Sequence, residues 1–174
     1  MDVHLQTLSR IFISVIGVVW LVSGTPVSLA AQDKKSPLLK FEIVDVIQSK
    51  SIPTSLTGKR GNKKRGEALM IERSKGNCLA CHQVTSFVEK AKKDPNSYGD
   101  MGEVGPTLDK VAERYKEGQL RLLLVDAKQV FPETIMPSFY RVENLHLVGK
   151  KFKDKPILDP QEIEDVLSFL LTLK

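Results

Sequence analysis

Gly76-Asn77-Cys78-Leu79-Ala80-Cys81-His82 sets two thiols three positions apart, with an imidazole directly behind the second. Cys-x-x-Cys-His is the spacing at which a chain carries covalently attached haem. The thiols add to the two vinyl groups of one porphyrin, and the adjacent imidazole reaches its iron. Three other readings compete for the motif. A thioredoxin-like dithiol needs a strand-to-helix setting, whereas the residues before Cys78 read as helix with no strand ahead of them. A tetrahedral zinc site usually takes four protein ligands; the chain has three histidines and two cysteines, and His4 falls in a segment that reads as removed on export. Coincidence is the third, yet both cysteines fall inside the motif and none is left for a structural disulfide.

An iron held by His82 takes a sixth ligand or keeps an open face, and this choice separates an electron carrier from a gas or substrate binder. Met70 lies in the helix before the motif, too near in sequence to fold over the distal side. Met101 follows in the Gly-rich loop Tyr98-Gly99-Asp100-Met101-Gly102. Met136 is the best placed. It lies in Pro132-Glu133-Thr134-Ile135-Met136-Pro137-Ser138-Phe139, where two prolines stiffen a loop that no helix continues through. An ordinary core methionine is the plainer alternative. His146 would make a bis-histidine site instead, although Leu145 and Leu147 around it suggest a partly buried imidazole with a local hydrogen bond.

Covalent haem attachment of this kind is chemistry of the far side of a membrane, and residues 1–30 supply the route. Arg10 precedes an apolar run from Ile11 to Val22; Ser23, Gly24 and Pro26 break it, and Ser28-Leu29-Ala30 offers small residues for cleavage. The run is short of the roughly 20 apolar residues of a membrane span. We read a signal peptide cleaved after Ala30 or Ala31, a periplasmic destination, and a mature form with no stable membrane span. An uncleaved anchor is the alternative.

The remainder is one domain-sized chain of about 144 residues. Its net charge stays at +5, because Asp2 and Arg10 leave together. Nucleic acid is not indicated, since the basic residues are scattered among acidic ones apart from Lys59, Arg60, Lys63, Lys64 and Arg65. That cluster reads either as a solvated linker or as an edge that steers an acidic protein partner.

Residues 31–64 differ in pattern from the rest of the mature chain and read as an N-terminal extension laid across a domain or a partner. Lys40 to Ile47 alternates loosely and suits a short strand, and Pro53, Gly58 and Gly61 punctuate the path. The domain proper is read over 65–174. Gly66 to Arg73 makes two turns of helix ahead of the motif. At the far end Asp159 caps a helix with Pro160 at its first position and Glu162 at its third. Ile163, Val166, Leu167, Leu170 and Leu171 then repeat along one face. Leu108 to Tyr115 and Gly118 to Val125 read as shorter helices, and nothing after residue 65 has a strand pattern.

These residues resemble a known family. Gly66-x-x-Leu69, Cys78-x-x-Cys81-His82, Gly105-Pro106-x-Leu108, Met136-Pro137 and Phe169 resemble the all-α class I cytochrome c domain. More narrowly, Arg73 to His82, Thr134 to Tyr140 and Glu164 to Leu170 are similar to the SoxX family, the smaller cytochrome subunits of the SoxAX complex of bacterial sulfur oxidation. The likeness covers residues 50–174.

The resemblance implies one covalent haem c on Cys78 and Cys81, His82 as proximal iron ligand and Met136 as distal ligand. It implies that the carbonyl of Pro106 accepts the Nδ1 proton of His82, fixing the ring, and that Gly66 lets Phe169 pack closely where the first and last helices cross. A methionine ligand and a buried haem favour the reduced state, which suits electron transfer. The implied partners are a SoxA-like dihaem or monohaem cytochrome subunit, a SoxYZ-like carrier reached through the complex, and a small soluble cytochrome as electron acceptor. In that system thiosulfate is joined oxidatively to a cysteine of SoxYZ at a site on SoxA; this chain has no spare cysteine for such chemistry. Leu38 to Arg65 is the candidate SoxA contact. A free monohaem shuttle, and an enzyme or sensor with an open iron position, are the competing functions.

Overall fold

A computed structural model of the chain describes residues 41–46, 49–94, 98 and 101–174; the export segment read over residues 1–30 lies outside them. Within 63–174 the described elements are helices and turns, and the expected strand pairs into a short hairpin ahead of them. Strands β1 (Val44–Val46) and β2 (Ser49–Ser51) run antiparallel, with Val44 opposite Ser51 and Val46 opposite Ser49. Helices α1 (Lys63–Ile71), α2 (Thr85–Lys93), α3 (Val111–Arg114), α4 (Glu117–Asp126) and α5 (Pro160–Leu170) follow. Three-residue 3-10 turns occupy Cys78–Ala80, Ala127–Gln129 and Lys150–Phe152.

The last helix begins as its sequence requires. Asp159 accepts from the Glu162 N–H while Glu162 accepts from the Asp159 N–H, and Pro160 fills the first helical position, where no N–H is needed. Ile163, Val166, Leu167 and Leu170 are buried, each side chain contributing about 1.5–3 kcal/mol. Helix α1 starts three residues earlier than the apolar pattern predicts, because the Asn62 side chain accepts from the N–H groups of Lys64 and Arg65. Its first turn holds Lys63, Lys64 and Arg65 and no acid, a charge distribution that opposes the helix dipole.

Helices α1 and α5 cross with almost nothing between their backbones. A Cβ on Gly66 would stand 2.0 Å from the Asp165 carbonyl oxygen, and one on Gly61 would stand 1.9 Å from that of Glu164. The closest approach falls on the Asp165–Val166 backbone, and Phe169 of the same helix stacks on Phe87 with centroids 5.4 Å apart. Asp165 clamps the crossing. Its Oδ1 accepts from the Asn62 N–H at 2.7 Å, and Arg65 donates to both oxygens at 2.7 and 3.0 Å.

The second half of the extension is part of this core. Ile52 and Leu56 are buried, the Ile52 N–H donates to the Gly118 carbonyl, and the Leu56 N–H donates to Glu164. Arg121, 1% exposed, donates through Nε and Nη2 to Glu164, through Nη2 to Glu117 and through Nη1 to the carbonyl of Ile52. An ion pair this buried is costly unless its hydrogen-bonding groups find partners. Here the guanidinium joins α4, α5 and the extension. Burial would lower the pKa of Arg121, but the bonds to Glu164 and Glu117 hold it above its ordinary value.

Burial alone would raise the pKa of Asp165; hydrogen bonds from Arg65, the Asn62 N–H and Gln161 outweigh it and hold the carboxyl below its ordinary value. With the folded value depressed, this stabilisation is complete above the ordinary aspartate range and is lost as pH falls through the folded value. Asp165→Asn should therefore cost about 1–2 kcal/mol at neutral pH, discounted because Arg65 is largely exposed. The gap from wild type should narrow below about pH 4. Urea unfolding at the two pH values checks both statements.

Candidate functional site

Helix α1 ends at Glu72 in extended geometry, and the chain turns back so that the Gly76 N–H reaches the Leu69 carbonyl. Asn77 then takes a left-handed conformation at φ 48°, a region that Asn tolerates better than most residues. From it the 3-10 turn Cys78–Ala80 begins, and the N–H groups of Cys81 and His82 both donate to the Cys78 carbonyl. Two thiols and an imidazole are thus carried on one tight turn. The two cysteines form no disulfide with each other, and burial pushes the Cys78 thiol up to about 12.

Three glycines let the backbone close on this turn. A Cβ on Gly76 would meet the Leu69 carbonyl oxygen at 2.6 Å, one on Gly102 the Ala80 carbonyl oxygen at 2.0 Å, and one on Gly105 the His82 Cε1 at 2.3 Å. The last seats the imidazole flat against the chain, and the Gly105 N–H donates to the Cys81 carbonyl at 2.7 Å. The next residue orients the ring: His82 Nδ1 lies 2.7 Å from the Pro106 carbonyl oxygen. A carbonyl only accepts, so Nδ1 carries the proton and Nε2 keeps its lone pair for a metal.

The structure thus brings Cys78, Cys81, His82 and Pro106 together. Met136 lies on a separate strap after α4, half-buried against the core, with its N–H on Thr134 Oγ1 at 3.1 Å. Met70 is fully buried and Met101 partly buried. His146, expected to be partly buried, is exposed in the loop after Asn144. The donor set suits haem and not a bare metal ion. Two thiols beside an oriented imidazole match the porphyrin's two vinyl groups and iron, while among the described residues no three His, Cys, Asp or Glu side chains converge on a common point.

A feature that positions the His82 segment is silent in the sequence. Helix α2 has no capping side chain of its own; Asp109 supplies it, accepting from the Thr85 N–H at 3.0 Å and hydroxyl at 2.5 Å. That bond holds the loop carrying Pro106 against the segment leaving His82. Asp126, which accepts from the Ser138 hydroxyl on the strap two residues beyond Met136, is equally silent. Gly105→Ala should force the His82 ring from its seat and, as overpacking, cost about 1–3 kcal/mol. Equilibrium denaturation, with exchange of the His82 Nδ1 proton as a local probe, would show it.

The family model described as Cytochrome c matches residues 63–174. No curated protein matches the chain. Among solved structures, the chain is similar to one in the crystal structure of SoxXA from P. pantotrophus, at 38% sequence identity and a TM-score of 0.64, covering 76% of this chain and 95% of that one. Among the described residues no helix is long and apolar enough to cross a membrane. A matched domain of this kind carries covalent haem c. The chain belongs to the cytochrome c family and is a SoxX-like haem cytochrome of electron transfer.

Proposed function

We propose that this chain is the periplasmic electron-transfer subunit of a SoxAX-type complex, carrying one haem with histidine and methionine as axial ligands. The observation that carries the haem reading is the 2.7 Å bond from His82 Nδ1 to the Pro106 carbonyl, which leaves Nε2 free on the turn that also holds Cys78 and Cys81. Bound haem supplies a one-electron couple at the iron. The chain's residues do the rest: Cys78 and Cys81 tether, His82 is the proximal ligand, Pro106 holds its tautomer, and Met136 presents the distal thioether. Two fixed ligands leave little to rearrange when an electron arrives.

The partner reading is supported by the similarity to SoxXA and by the basic run at residues 59–65. A SoxA-like subunit would draw the electrons from thiosulfate as it is conjugated to a SoxYZ-like carrier; this chain would pass them to a small soluble cytochrome. Lys59, Arg60, Lys63 and Lys64 are exposed, while Ile52 and Leu56 of the same segment are core. These outward cations are therefore free to meet SoxA.

Haem-loaded protein exported from a host that also expresses a SoxA should elute as a one-to-one complex with a low-spin spectrum. Elution alone would favour the free shuttle. Met136→Ala should convert the spectrum to high spin; an unchanged spectrum would remove Met136 from the iron. Reversing Lys59, Arg60, Lys63 and Lys64 to Glu should weaken capture of SoxA without altering the spectrum, and unimpaired capture would clear the cluster of that role.

A further inference from the structure

The strap bearing Met136 is held by two side chains from the end of α4 and the turn beyond it. Lys128 donates to the carbonyls of Thr134 at 2.9 Å and Pro132 at 3.4 Å. Asp126, 2% exposed, holds the returning half. Its Oδ1 accepts from the Ser138 hydroxyl at 2.6 Å, its Oδ2 accepts from Gln129 at 3.1 Å, and Arg141 Nε stands 3.2 Å from Oδ2 without hydrogen-bond alignment. The Phe139 N–H then donates to the Leu124 carbonyl, so the strap returns along α4.

Asp126 sits at a position that helix electrostatics disfavour. An acid at the last position of a helix opposes the negative end of the dipole, and a buried carboxyl is costly unless its oxygens are satisfied. What it gains is a fixed Ser138. Only Pro137 separates Ser138 from Met136, and its ring locks φ. An orientation set at Ser138 thus reaches the Met136 backbone through one fewer free dihedral, and the Met136 N–H is itself held on Thr134 Oγ1 at 3.1 Å.

We propose that Asp126 is a positioning residue for Met136: acting through Ser138 and across Pro137, it sets where the methionine sulfur stands and so how firmly that sulfur holds the haem iron. The inference rests on Met136 as distal ligand. Substitution of Asp126 or Ser138 should loosen the sulfur–iron bond while leaving His82, Cys78 and Cys81 as they are.

The test uses the full haem-loaded chain with Asp126→Asn, Ser138→Ala and Ser138→Thr. It follows the weak far-red band of sulfur-ligated ferric haem and the rate at which added imidazole displaces the sixth ligand. Asp126→Asn and Ser138→Ala should weaken the band and speed displacement by at least about tenfold, the lower end of what one lost hydrogen bond to a charged group gives. Ser138→Thr, which keeps the hydroxyl, should restore both. Unchanged rates in the first two variants, or a failure of Ser138→Thr to restore them, would overturn the proposal while Met136 stands as ligand. A wild-type protein without the band, or one whose spectrum Met136→Ala does not alter, would overturn the ligand assignment and this inference with it. Should Asp126→Asn fail to fold, Ser138→Ala and its rescue decide alone.

Discussion

The backbone-on-backbone crossing of α1 and α5 is the constraint on which the remaining architecture depends. No side chain fits between Gly66 and the Asp165 carbonyl, so the two helices have essentially one depth of approach. Around that contact α5 hands out its acids. Glu162 pairs with Lys75 just before the Cys-x-x-Cys-His turn, Glu164 with Arg121, and Asp165 with Arg65 and the start of α1. One helix thereby locates the segment before the haem motif, the helix before the Met136 strap, and the extension.

Much of this was legible residue by residue. Asp159, Pro160 and Glu162 encode a helix start in adjacent positions, and the apolar repeat behind them encodes its buried face, so local rules suffice. The cysteines and His82 are equally explicit, because covalent attachment demands a fixed spacing. Asn62 was obscured by the cations following it, which argue against a helix start on dipole grounds. Leu108 to Lys110 was expected to be helical, yet Lys110 takes φ 56° and Asp109 is spent on capping α2. Helix α2 carries no local start signal, its cap lying 24 positions away.

The least legible features are the buried polar ones. Arg121 reads in sequence as one more surface cation on a helix, and Glu164 as an acid on another, 43 positions apart. Only the fold shows that they satisfy each other and the carbonyl of Ile52. His146 erred in the opposite direction: flanking leucines suggested burial, but Leu147 is itself exposed, with φ 56°. Alternating apolar residues mean burial only where a neighbouring element covers them.

The crossing of α1 and α5 joins residues 100 positions apart, from Arg65 to Asp165. A chain made from its N-terminus releases α1 and the Cys-x-x-Cys-His turn long before α5 exists to cover them. Closing a loop of that length is only logarithmically costlier than closing a short one, but it cannot begin until synthesis is nearly complete. For that interval the turn and both its thiols belong to an open chain, held by local hydrogen bonds alone.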